Sequence, residues 1–167
     1  MCIRDSISHI QSDLSPLKVQ KLIARLYQLK NHFTGTEILS TYQAHGDFTP
    51  WNMFHANKGS KLHLFDWELS ERLPALYDLF HFIFQTGILV KRQSFLEIKS
   101  TIDEILKRPK LQEFIRENSL DVEQAYQFYL LRNGSYYLNR YLTQKDLHIQ
   151  AHWLLDYWLE AVSYDEI

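Results

Sequence analysis

The chain of 167 residues has one cysteine, five glycines and four prolines. Cys2 alone permits no internal disulfide, which fits a reducing compartment without requiring one. With so little glycine and proline, no linker, repeat or low-complexity tract divides the sequence, and 1–167 reads as a single domain. Neither sign of charge is in surplus, since 18 Lys and Arg stand against 20 Asp and Glu for a net charge of -2. That balance leaves no electrostatic footprint for nucleic acid or for an anionic membrane. Long apolar runs are missing too. The most apolar window, 73–90, contains Asp78, His81 and Gln85, which are costly in lipid, so it is expected to be a buried helix of a cytoplasmic protein. Residues 1–12 show no usable period and no signal-peptide pattern. The first six, Met-Cys-Ile-Arg-Asp-Ser, read equally as an adapter remnant or a frayed terminus, so 1–12 are expected to be disordered or non-native.

What the chain does have is rings and apolar periodicity. Hydrophobic residues make up 46% and aromatics 14%, enough to exclude disorder and to make large rings dominate the core. Ser15-Pro16 reads as a helix start, a capping hydroxyl followed by a proline where no N–H is needed. Val19, Leu22, Leu26, Leu29 and Phe33 then form one stripe, and Gly35 ends it. Residues 37–44 are either a short strand or an extended approach. The runs 53–56 and 61–65, joined by Asn57-Lys58-Gly59-Ser60, read as a hairpin. A helix over 75–86 is expected to end near Gly87, and a second, striped by Phe95, Ile98, Ile102 and Ile105, to stop before Pro109. Asp121 with Gln124 resembles a capping box opening a third helix, which Asn133-Gly134-Ser135 is expected to bend or break. Leu147, Ala151, Leu154, Trp158 and Val162 mark the last helix. The fold class is therefore mainly α, a helical bundle with a short β-hairpin.

The chemistry concentrates in His45-Gly46-Asp47-Phe48-Thr49-Pro50-Trp51-Asn52 and in Phe65-Asp66-Trp67-Glu68. His, x, Asp, then Asn five residues after the Asp, then a further Asp, is the order of a kinase catalytic loop and its metal-binding carboxylate. Phosphoryl transfer asks the protein mainly for positioning and charge neutralisation. Asp47 offers a carboxylate for an acceptor hydroxyl, while Asn52 and Asp66 offer hard oxygens for magnesium. They flank the expected hairpin, and antiparallel pairing would bring them together. Taken singly, these residues read more simply as turn or cap residues; the joint order is what carries the assignment. His55, His63 and His81 match no ligand spacing and read as ordinary surface or core histidines. Trp51, Trp67 and the aromatic run 126–141 read as packing rings.

The two motifs together resemble the aminoglycoside phosphotransferase and choline kinase family, a small-molecule branch of the kinase-like fold. That branch carries His-Gly-Asp-x-x-x-x-Asn, then Asp-Trp or Asp-Phe with an acidic residue following, then a Pro-x-x-x-Asp-Leu context matched by Pro74-Ala75-Leu76-Tyr77-Asp78-Leu79. At Arg72 members often have glycine. The resemblance covers 45–79 and implies Asp47 as catalytic base, Asn52 and Asp66 as magnesium ligands, and His45 and Asp78 as structural supports of the loop. It further implies ATP as phosphoryl donor and a small-molecule hydroxyl as acceptor. The 44 residues before His45 contain one glycine and no glycine-rich loop or lysine-bearing strand. The expectation is thus a kinase-like C-terminal lobe whose nucleotide-binding N-terminal lobe lies on a longer chain. Two other readings compete: a non-catalytic ligand- or magnesium-binding module, and a magnesium-dependent phosphohydrolase, which lacks the extra carboxylates of a two-metal site.

Overall fold

The computed structural model describes residues 16–35, 38–56, 61–143 and 149–164. The expectations for 1–12, for Ser15 as a cap, for the turn 57–60 and for Leu147 lie outside them. In chain order the elements are α1 (Pro16–His32), β1 (Thr41–Ala44), a 3-10 turn (Pro50–Asn52), β2 (Met53–Ala56) and β3 (Lys61–Leu64). A second 3-10 turn (Trp67–Leu69), β4 (Glu71–Pro74), α2 (Tyr77–Gln85) and a π-helical turn (Thr86–Lys91) follow. The chain continues with α3 (Phe95–Leu106), α4 (Pro109–Glu117), α5 (Val122–Leu142) and α6 (Ile149–Ser163). It is mainly helical, as the periodicity predicts, and divides into two compact units, one on Ile38–Tyr129 and one on Met1–Glu37 with Leu130–Glu166.

The second unit is an all-helical assembly built on α1 against α6. Val19, Leu22, Leu26 and Leu29 are buried, so the stripe works as a core face, whereas Phe33 falls beyond the last turn and is only half-buried. On α6 the buried residues are Leu155, Tyr157, Trp158, Ala161 and Val162. Tyr137 stacks on Trp158 with ring centroids 5.4 Å apart. Helix α5 does not bend or break at Asn133-Gly134-Ser135. Gly134 has a packing reason instead: a Cβ there would sit 2.9 Å from Leu26 Cδ2. The glycine lets α1 approach, and the helix around it holds.

The unit on Ile38–Tyr129 carries all the described strands. Residues 41–44 resolve as a strand, β1, whose partner is β4 in antiparallel register Thr41↔Pro74 to Ala44↔Glu71. Ser70 Oγ donates to the Ala44 carbonyl at 2.8 Å, closing the far end of that ribbon. Arg72, in β4, donates from Nη2 to the Thr41 carbonyl at 3.1 Å. The expected hairpin pairs β2 with β3, Met53↔Leu64 to Ala56↔Lys61. Phe80 and Phe84 of α2 pack edge-on and tilted against Tyr126 and Tyr129, all four buried.

Two helix boundaries differ from the sequence expectation. Gly87 does not end α2; the backbone widens into the π-helical turn and stops only at Arg92, in left-handed conformation with φ 55. A Cβ at Gly87 would meet Ile98 Cγ1 at 2.5 Å, so this glycine serves close packing on α3. Pro109 does not merely stop α3. It opens α4 at its first turn, where its missing N–H costs nothing. Ser94 and Glu97 form a reciprocal capping box on α3, and Asp121 Oδ1 accepts from Gln124 N at 2.9 Å to start α5.

Candidate functional site

Four local devices hold the loop after β1. Gly46 has φ +84, and a Cβ on it would run into the Leu69 carbonyl, so only glycine fits. Asp78, one residue inside α2, accepts from His45 N at 2.7 Å and from Gly46 N at 3.1 Å. The buried His45 ring donates from Nε2 to the Phe65 carbonyl at 2.8 Å and lies 4.6 Å from the Trp67 ring. Since a carbonyl only accepts, the hydrogen is assigned to Nε2. Finally, Phe65 N donates to the Asn52 carbonyl at 3.1 Å, tying the end of β3 to the short 3-10 turn. The two motifs, distant in sequence, are one locked substructure.

Asp47 is presented at its centre. Asn52, buried, donates from Nδ2 to Asp47 Oδ2 at 2.8 Å and to the Asp47 carbonyl at 3.0 Å. His81, on α2 and also buried, meets Asp47 Oδ1 from Nε2 at 3.0 Å. Each carboxylate oxygen thus has one donor and keeps lone-pair capacity for another. The His81 hydrogen bond, above all, holds Asp47 below its ordinary carboxylate pKa; partial burial opposes it and the Asn52 bond assists. Thr49, fully buried, adds an Oγ1 bond to the Asp47 carbonyl at 3.3 Å. The group is pinned and charged.

Direct hydrogen bonds therefore join Asp47 to Asn52 and Asp78 to the His45 backbone, as the sequence pattern expects of neighbours in one site. Asp66 follows Phe65 in left-handed conformation, φ 64, with an exposed side chain that bonds to no described residue. Its segment is anchored beside Asn52, while its carboxylate is unengaged. The sequence reading treats His81 as an ordinary histidine; it touches the central carboxylate. A usable signal existed, since His81 stands three residues after Asp78 and shares its helix face. His63 stacks flat on Phe54 at 4.9 Å as a cross-strand pair. Trp51 and Trp67 are less buried than packing rings should be, 46% and 49% exposed, and with Phe54 and Phe65 leave apolar surface open around the loop. Among the described residues no three His, Cys, Asp or Glu side chains cluster to hold a metal, and no helix is long and apolar enough to cross a membrane.

No protein-family model, no curated protein and no solved structure matches the chain.

Proposed function

We propose that this chain is the catalytic-loop lobe of an ATP- and magnesium-dependent kinase acting on a small-molecule hydroxyl, of the aminoglycoside phosphotransferase and choline kinase type, in the cytoplasm. The observation that carries the reading is Asp47 itself. Its carboxylate is fixed by a donor on each oxygen, on a glycine loop that Asp78 braces through two backbone N–H groups. A group so held can orient an acceptor hydroxyl and accept its proton, because it spends no reorganisation at the moment of attack.

The donor set suits magnesium. Asn52 Nδ2 is committed to Asp47, which turns the amide oxygen the other way, and Asp66 brings an exposed carboxylate with no partner among the described residues. Both are hard oxygens, and a metal shared with phosphate needs only one or two from the protein. When bound, magnesium–ATP supplies the phosphoryl group and the charge neutralisation its transfer requires. His45 keeps the two halves of the site in register through the Phe65 carbonyl.

The test is Mg2+-dependent phosphate transfer from ATP to a panel of hydroxylated acceptors, using the protein as its gene encodes it. Transfer to at least one acceptor is the expected result. Tight magnesium–ATP binding with no transfer to any acceptor or to water would instead favour a non-catalytic binding module.

A further inference from the structure

We infer that His81 is the positioning residue for Asp47, acting as a fixed Nε2–H donor that sets the direction of the carboxylate. This deepens the kinase reading and rests on it for its catalytic consequence. Three observations converge. The Nε2 atom lies 3.0 Å from Asp47 Oδ1, on the oxygen opposite to the one Asn52 holds. The ring is buried, and its Nδ1 has no hydrogen-bond partner among the described residues. A single hydrogen is therefore satisfied only at Nε2, where a carboxylate accepts it; at Nδ1 it would face nothing and cost the desolvation of a buried donor.

The ring is also prevented from turning. It stacks on Tyr77 with planes 9° apart and meets Tyr129 edge-on at 73°. Those rings and the α2 backbone fix the Nε2–H vector, and that vector together with Asn52 Nδ2 defines the carboxylate plane. Without His81, Oδ1 loses its only protein donor among the described residues and Asp47 can swing about χ2. The lone pair facing the acceptor is then misaimed, an error that costs about 100-fold in rate for a displacement of roughly 1 Å. Binding of the acceptor does not depend on that angle.

The experiment combines a spectroscopic and a kinetic arm. In the histidine-15N-labelled protein, His81 should appear as the Nε2–H tautomer with a slowly exchanging ring proton, and Asp47→Ala should abolish the slow exchange. An Nδ1–H tautomer, or exchange as fast as in a free imidazole, overturns the inference. In the phosphotransfer assay, His81→Phe should lower kcat by about 10- to 100-fold with KM unchanged. His81→Gln, which keeps an N–H at similar reach, should recover most of the loss. Wild-type kcat in folded His81→Phe, or equal loss in the Gln variant, also overturns it. If the wild-type protein transfers no phosphate yet shows the Nε2–H signature, the positioning of Asp47 stands and the kinase reading falls.

Discussion

At the scale of single residues, Gly46 carries a sharper requirement than any charged neighbour. Its left-handed φ alone would strain an alanine by about 1–3 kcal/mol, and the added Cβ would collide with the Leu69 carbonyl. Gly46→Ala should therefore lower stability by at least that range in urea unfolding, and a loss under about 0.5 kcal/mol would mean the loop relaxes freely. Asp47 makes a prediction in pH. Its folded pKa is depressed, so its stabilising contribution is complete above the unfolded carboxyl value, about 3.9, and is lost as pH falls through the folded value. His81→Phe removes the largest cause of the depression. Stability against pH should consequently fall less steeply in that variant than in the wild type below about pH 4, measured by urea unfolding at stepped pH. The loop residues are legible in the sequence because phosphate chemistry needs them at fixed short intervals. His81 is not, because its partner lies 34 residues away and a histidine on an apolar helix has no distinguishing spacing.

At the scale of elements, apolar period places the helices and glycine misleads about their ends. A glycine inside a helical stretch can mark a stop or a close approach, and local sequence does not distinguish them. Here Gly87 and Gly134 are both close approaches, to Ile98 and to Leu26. The two should differ in tolerance. At Gly87 a new methyl meets two atoms of Ile98, which is wholly buried, so Gly87→Ala should cost about 1–3 kcal/mol by overpacking. At Gly134 the nearest atom is the far end of one leucine, and alanine also favours a helix by about 1 kcal/mol over glycine. Thermal melts of the two variants check the ordering, and a more damaging Gly134→Ala would reverse it. The strand β1 is ambiguous in sequence for a different reason: its partner β4 arrives only 27 residues later, so pairing, rather than propensity, makes it a strand. Pro109 illustrates the same limit, being equally able to follow one helix and to open the next.

At the scale of the molecule, even composition points to one domain, while the division into two compact units comes from contacts that composition does not encode. The helical unit around α1 and α6 should be held by its apolar face. Lys18 and Asp156 form an ion pair at 2.7 Å, yet both are about half exposed, so Lys18→Ala should change stability by no more than about 1 kcal/mol. Leu22, at 1% exposure, should cost about 2–5 kcal/mol when cut to alanine. Urea unfolding of both variants decides whether packing or charge governs that unit. The unit on Ile38–Tyr129 holds every residue of the candidate site, and its purpose in this account is to present one carboxylate. That claim meets its most direct test in Asp47→Asn, which keeps shape and removes the base. With magnesium, ATP and an accepted hydroxyl substrate, kcat should fall by about 10²- to 10⁴-fold with little change in KM. Turnover equal to the wild type would contradict the account.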